Sequence, residues 1–455
     1  MKTYDVIVVG SGSGMFIVDE AINRGLKVAL VDKGPFGGTC LNTGCIPSKM
    51  LIYPADRIVE IQEASKLGIE AEIKRIDFTA IMQRMRKSIE ESQNQMRHTV
   101  SGAENLDFYE GQGHFVADYT IEVNGETIEG DRIFLASGSR PFIPPIKGLD
   151  SVAYLTNETL LQLKELPESL IIIGGGYIGV EFGHFFAAMG TKVTILEMME
   201  SLVPTEEPEV RELLKEQLGR RMDIYTNTQA EEVTQEGGRI KVVVQDDKTG
   251  KRKEFTAERI LIAVGRRSNA DMLEVVNTGV EIDKRGFIKV NEYLETSKKN
   301  IFAFGDANGH YMFTHVANRE ALVVAENVFY DTDLKMDYSA IPRAVYSHPQ
   351  VASVGLTEAQ ARKDHDISIG KVNYIATAKG EAMLEKEGFA KAIVEKNGSR
   401  ILGFHIIGPY APVLVQEVVN AMTFGGNVDE INNGIHIHPA LSELIQVTVN
   451  SLEES

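Results

Sequence analysis

The chain twice spells the same local design: a short β-branched strand, a glycine turn, a helix, a second strand and an acid at its end. The first copy runs through a strand at 4–9, Gly10-Ser11-Gly12-Ser13-Gly14, a helical stretch at 16–24 and a strand at 27–31, and closes on Asp32. The second runs through a strand at 169–173, Gly174-Gly175-Gly176-Tyr177-Ile178-Gly179, a helix at 180–189 and a strand at 192–196, and closes on Glu197. Glycines after a strand let the backbone turn sharply into a helix and approach a pyrophosphate at the helix N-terminus, where the peptide dipoles favour negative charge. An acid about 20 positions on accepts hydrogen bonds from ribose hydroxyls. One such turn is weak evidence. Two, each after a strand and each answered by an acid, predict an α/β protein with two Rossmann-like dinucleotide-binding units.

The two copies differ. Met15 stands where the first turn's third glycine is expected. That glycine permits close helix–strand packing, so a slightly displaced helix is expected there, with Gly14 as the compensation. In the second copy, Glu197 would repel a 2′-phosphate, and 197–204 holds no arginine to bind one. The second site therefore reads as NAD(H) rather than NADP(H).

A chain of 455 residues is too long for one core and implies two to four domains. The net charge of −18 argues against a nucleic-acid or anionic-membrane partner. No apolar run approaches the ~18 residues of a membrane span. Met1 to Gly10 runs straight into strand and turn, leaving no room for a leader, so the expected compartment is the cytoplasm.

Further along, 120–123 and 127–128 flank Asn124-Gly125, a hairpin signal. The segment 82–99 is polar with helical spacing and reads as a long exposed helix, and 141–145 reads as a linker. From about 338 the glycine grammar stops, and strand-like runs at 390–395 and 401–407 alternate with helical ones such as 413–422, an α+β pattern.

Cys40 and Cys45 are the only cysteines. A reducing cytosol does not usually preserve structural disulfides, so a close pair there is catalytic, redox-sensing or metal-binding. No histidine lies near in sequence, and no metal is expected. The pair sits in Gly37-Gly38-Thr39-Cys40-Leu41-Asn42-Thr43-Gly44-Cys45-Ile46-Pro47-Ser48-Lys49. Pro47 suits the first turn of a helix. Cys45 would then lie at that helix's N-terminus, where the dipole stabilises a thiolate. Lys49, four residues on, shares its face and can lower the thiolate pKa.

This stretch closely resembles the redox-active disulfide of the pyridine nucleotide-disulfide oxidoreductases. The resemblance covers essentially the whole chain. It includes both glycine turns, Leu135-Ala136-Ser137-Gly138-Ser139-Arg140-Pro141, Ala263-Val264-Gly265-Arg266-Arg267, Ile301-Phe302-Ala303-Phe304-Gly305-Asp306 and His436-Ile437-His438-Pro439-Ala440-Leu441-Ser442-Glu443. It implies an FAD-binding domain at 1–145 carrying the redox disulfide, an NAD-binding domain at 146–270, a central domain at 271–337 completing the FAD site, and a C-terminal α+β dimerisation domain at 338–455. FAD would be held by Gly10, Gly12, Ser13, Gly14, Asp32, Lys33, Gly38, Thr39, Lys49, Gly113, Ser137, Gly138, Asp306 and Thr314. NAD would be held by Gly174, Gly176, Tyr177, Ile178, Glu197, Val233 and Gly265, with Tyr177 as an aromatic gate. Lys49 would approach the flavin and pair with Glu181.

His438 and Glu443 resemble the family's proton-transfer dyad. A thiol must lose a proton to attack and regain it on release, histidine titrates in that range, and a carboxylate fixes its tautomer. His436, two residues earlier in an extended segment, points the other way and reads as structural. In the family the dyad serves the partner subunit, which implies a homodimer.

Gly355-Leu356-Thr357-Glu358, 401–408 and Glu197 suit dihydrolipoyl dehydrogenase. The first glycine turn, His315-Val316-Ala317-Asn318 and 267–271 resemble mycothione reductase, a low-molecular-weight disulfide reductase. The expectation is a dihydrolipoyl dehydrogenase-like enzyme, with a dithiol, a disulfide or a carrier-borne lipoyl group as substrate. Mercuric reductase would need a C-terminal cysteine pair. A non-enzymatic flavoprotein subunit would not account for an intact redox pair and dyad.

Overall fold

The computed structural model describes residues 1–396 and 399–454. They form two compact units that interleave along the chain. The first comprises Met1–Ser48, Met82–Phe142 and Gly265–Asp337; the second comprises Lys49–Ile81, Ile143–Val264 and Tyr338–Ser455.

The first unit is built on the strand Lys2–Val9, whose Val6 to Val9 are almost wholly buried, as a central parallel strand requires. It pairs in parallel with Val28–Asp32 on one side and Glu126–Leu135 on the other, in registers that place Val9 beside Val31 and Leu135. Leu106–Glu110 and Ile301–Ala303 extend the parallel set. Thr120–Val123 and His114–Ala117 add an antiparallel edge. The hairpin at Asn124-Gly125 forms as expected: both residues have positive φ, 53° and 77°, the pair of left-handed residues that a type I′ turn needs. Helix α1 (Met15–Asn23) leaves the first glycine turn and packs on a later helix, Thr314–Tyr330. Short helix α2 (Gly38–Asn42) carries Cys40, and α3 (Cys45–Gln62) opens on Cys45. Helix α4 (Phe78–Ser101) covers the polar segment, but it is not exposed all round: Met82, Met85 and Ile89 form a buried stripe.

The second unit repeats the parallel grammar in a four-stranded sheet ordered Asp223–Tyr225, Lys192–Leu196, Ser169–Ile173 and Arg259–Ile262. Helix α5 (Tyr177–Met189) follows its glycine turn and begins three residues earlier than the apolar run suggested. Helix α6 (Pro208–Gly219) comes next. Its C-terminal part is a six-stranded sheet centred on Val351–Gly355, Ile401–Ile407 and Phe389–Glu395, packed under Ala411–Phe424 and Glu443–Asn450. The helix Thr314–Tyr330 of the first unit is α7. Among the described residues, no helix is long and apolar enough to cross a membrane.

Candidate active site

The two glycine turns begin alike. Gly10 N donates to Val31 O and Gly174 N to Leu196 O, both at 2.9 Å. A Cβ on Gly10 would lie 2.2 Å from Ala136 O, and one on Gly174 would lie 2.4 Å from Ala263 O. Both have φ near +110°, so only glycine fits. The acids close each turn from inside. Asp32 accepts from Ser11 N at 2.6 Å and from Gly34 N at 2.7 Å. Glu197 accepts from Gly175 N at 2.5 Å and Met199 N at 2.6 Å. Each carboxylate oxygen keeps a second lone pair for a ribose hydroxyl.

The third-glycine expectation needs correction. A Cβ on Gly14 would lie 2.3 Å from Gly10 O and 2.8 Å from Val8 Cγ1, the same clash that Gly179 would make with Gly174 O at 2.1 Å. Gly14, one place earlier than the spacing rule, is therefore the packing glycine. The first turn opens with three hydrogen bonds of the tighter i→i+3 type, from Met15, Phe16 and Ile17 N to Gly12, Ser13 and Gly14 O, whereas Val180 N in the second already reaches Gly176 O four back. A tighter turn brings the strand-facing position round one residue sooner, and Met15 is left half-buried rather than displacing the helix.

The other residues assigned to FAD sit in the same unit. Gly38 abuts Gly12, where its Cβ would be 2.8 Å from Gly12 Cα, and Thr39 follows on α2. Ser13 Oγ donates to Asn318 Oδ1 at 2.7 Å. Gly113 packs under Val31 and Ile121. Lys33 is exposed beside Met272. Ser137 Oγ, in the turn that Gly10 touches, is buried without a partner among the described residues, and Gly138 beside it has open space around its Cα. Asp306 accepts from Ser139 Oγ, which in turn accepts from Arg266 Nε at 2.7 Å. An orphaned hydroxyl beside a glycine cradle, closed by an acid, fits a dinucleotide. In the second unit, Gly176 heads α5 with nothing within 4 Å of its Cβ position. Tyr177 is exposed, Ile178 is half-buried, and Val233 is buried with its N–H on Lys147 O. Gly265, at φ +124°, falls in the first unit.

Cys45 Sγ lies 3.3 Å from Thr314 Oγ1, at the N-termini of α3 and α7 together. Two helix dipoles thus meet at this sulfur. Cys40 is half-buried and Cys45 exposed. The hydrogen bond with Cys45, and then burial, push the Cys40 thiol pKa up. Attack by Cys40 therefore calls for a base to take its proton. Lys49, one turn into α3, pairs with Glu181 on α5 at 2.7 Å, and its ammonium sits 4.4 Å over the Tyr346 ring. The Tyr346 N–H donates to the other Glu181 oxygen at 2.9 Å. Burial pushes the Glu181 carboxyl up, and Lys49 opposes that shift.

Near the C-terminus, His438 Nδ1 and Glu443 Oε1 are 2.8 Å apart, and Ala440 N donates to Glu443 Oε2 at 2.9 Å. The His438 contact and then that amide hold the Glu443 carboxyl below its usual range. The His438 side chain is 70 % exposed, so Nε2 is open to exchange protons. His436 is instead tucked against Glu417 at 2.7 Å, with its side chain 7 % exposed. Two supporting residues escaped the motifs. Tyr346 acts through its backbone, which no motif spells, and Glu320 holds the Asp306 turn through Gly305 N and Asn308. Among the described residues, no group of three or more His, Cys, Asp or Glu is arranged to hold a metal.

The family described as Pyridine nucleotide-disulphide oxidoreductase matches residues 4–321, and its dimerisation domain matches residues 341–449. The chain belongs to this family. It is a flavoprotein disulfide oxidoreductase with an α/β dinucleotide-binding region and a C-terminal dimerisation domain. Mycothione reductase of Mycobacterium tuberculosis is 36% identical over 98% of each chain. Dihydrolipoyl dehydrogenase of Bacillus subtilis is 32% identical, covering 97% of this chain and 96% of its own. Among solved structures, the HOCl-induced flavoprotein disulfide reductase RclA from Escherichia coli superposes with a TM-score of 0.88 at 28% identity, covering 98% of this chain and 99% of its own.

Proposed function

We propose that the protein is an FAD-dependent NAD(H):dithiol/disulfide oxidoreductase that works through Cys40 and Cys45, with the dihydrolipoyl group as its first candidate substrate. The observation that carries this reading is the thiol pair at the meeting point of two helix N-termini, in a chain with two dinucleotide turns. FAD, when bound, would supply two-electron transfer between the nicotinamide and the sulfur pair. The first turn with Asp32, Ser137 and Asp306 would hold it, and the second turn with Glu197 would hold NAD(H). Glu197 disfavours a 2′-phosphate by charge.

In the reducing direction, Cys40 gives its proton to His438 and attacks one sulfur of a substrate disulfide. A Cys40–substrate disulfide forms, and the other substrate sulfur leaves as a thiol, taking its proton from His438. Cys45 then attacks the Cys40 sulfur, restoring the internal disulfide, and the second substrate sulfur leaves as a thiol with the proton that Cys45 gives up or one from water. The two electrons come from NADH. Oxidation of a dithiol is the same sequence reversed, with NADH as product, because thiol–disulfide exchange is reversible. Glu443 holds the His438 tautomer and supports its protonated form. The dyad lies within the dimerisation-domain match and serves the sulfur pair of a second copy, so the working form is a homodimer, placed in the cytoplasm.

A second reading, reduction of a low-molecular-weight disulfide, is favoured by the 36% identity to mycothione reductase. The test is kcat/KM for NAD with dihydrolipoamide, beside NADH and NADPH with several small disulfides. The first reading expects dihydrolipoamide to lead and NADH to outperform NADPH. A leading small disulfide selects the second reading, and a preference for NADPH overturns the NAD assignment.

A further inference from the structure

The helices that carry Lys49 and Glu181 share a second polar rung that the proposed chemistry does not use. Asp56 lies seven residues after Lys49 on α3, two turns on and so on the same face, and His184 lies three after Glu181 on α5. His184 Nε2 and Asp56 Oδ1 are 2.8 Å apart. The other ring nitrogen, Nδ1, is 3.1 Å from Arg221 Nη1, and Arg221 Nη2 donates to the His348 carbonyl. His184 and Asp56 are both buried.

A guanidinium can only donate. Nδ1 must therefore accept, the ring proton sits on Nε2, and it is given to Asp56. The imidazole is locked neutral in one tautomer, since a second ring proton would face the Arg221 N–H. Burial, first among the causes, also holds the His184 pKa down. Arg221, His184 and Asp56 thus form a directed chain of hydrogen bonds that ends on the Asp56 carboxyl inside the seam. Glu181 feels it: burial pushes its carboxyl up, Lys49 and the Tyr346 amide pull it down, and the Asp56 charge raises it again. Lys49 and Asp56 act on Glu181 from α3, and Tyr346 from the loop after Pro342–Val345. His184 lies along its own helix. Arg221, His348 and Glu63, with His348 Nε2 3.5 Å from Glu63 Oε1, continue the seam beyond it.

We propose that Arg221, His184 and Asp56 are positioning residues that set the charge state of the Lys49–Glu181 pair, an inference that rests on reading Lys49 and Glu181 as flavin-site residues. Asp56→Asn keeps the shape and an acceptor oxygen but removes the charge, so Glu181 ionises at lower pH.

The measurement is a pH titration of the flavin absorption spectrum in the oxidised holoenzyme, with a thermal melt of each variant. Glu181→Gln is the control and abolishes the transition. Asp56→Asn moves its midpoint down by on the order of half a pH unit or more. His184→Leu moves it the same way, because it removes the ring N–H that is donated to Asp56. His184→Gln, which still donates to Asp56, keeps the wild-type midpoint. If Glu181→Gln abolishes the transition and both charge-removing variants melt lower with an unmoved midpoint, the rung is only a strut and the inference falls. If Glu181→Gln leaves the transition in place, the reading of Glu181 falls, and the inference with it.

Discussion

Replacing Gly176 with alanine separates the fold from nucleotide binding at the second turn. Gly176 has φ −72° and ψ −179°, a conformation open to any residue, and nothing lies within 4 Å of its Cβ position. The protein itself therefore tolerates the methyl group. It even loses some unfolded-state entropy, for a gain of up to about 1 kcal/mol. In the proposed NAD(H) site the methyl group points into the open space before the head of α5, where the pyrophosphate would sit. A forced overlap of this kind costs about 1–3 kcal/mol. At about 1.4 kcal/mol per decade, that raises the KM for NADH roughly 5- to 150-fold. Gly174→Ala is the contrast: at φ +111° its Cβ would meet the Ala263 carbonyl at 2.4 Å, so the chain itself is destabilised, by about 1–3 kcal/mol from backbone strain before any overlap. The assay is steady-state kinetics against NADH, with a thermal melt and FAD content for each variant. A Gly176→Ala enzyme with unchanged melting and unchanged KM would refute the placement of the nucleotide at this turn.

Three further outcomes follow from the site. Because its hydrogen bond with Cys45 and then burial push the Cys40 pKa up, alkylation of Cys40 by iodoacetamide in the reduced holoenzyme should need His438 as base and should slow by on the order of 10²-fold or more in His438→Ala, read by peptide mass mapping. Mixing inactive Cys40→Ser and His438→Ala chains, with subunit exchange demonstrated, should restore roughly a quarter of wild-type activity, since half the dimers are mixed and each has one intact site; no recovery would place the dyad with its own chain's sulfurs. The Glu63 carboxyl is held down to about 2, chiefly by His348. A carboxylate depressed in the folded state stabilises above its unfolded pKa and loses that contribution as pH falls through the folded one. The stability advantage of wild type over Glu63→Gln, measured by denaturant unfolding, should therefore shrink as pH falls from about 4.5 towards 2.

What the sequence disclosed was whatever local physics dictates. The strands at 169–173, 192–196 and 401–407 fall where buried β-branched runs place them, and Asn124-Gly125 makes its hairpin because both residues accept positive φ. Gly14 does take the packing role, one position before the spacing rule places it, because that rule assumes an α-helical opening, and the 3₁₀-like bonding of the first turn is visible only in coordinates. The buried stripe of α4 hid behind its polar majority. Tyr346 supports Glu181 from 165 residues away through a backbone N–H, so no side-chain pattern could announce it. The Asp56–His184–Arg221 chain draws on three separate elements, and each residue alone looks like an ordinary polar position.

The central claim is that electrons from NADH reach the Cys40–Cys45 bond. The most direct measurement is an anaerobic titration of the oxidised, FAD-loaded enzyme with NADH, followed by denaturation and thiol counting. With only two cysteines in the chain, the count is unambiguous. One equivalent of NADH per chain should raise the free thiols from none to two, with Cys40 and Cys45 both labelled. If the flavin bleaches and the thiol count does not change, the pair is not in the electron path, and the account of this protein as a dithiol/disulfide oxidoreductase is wrong.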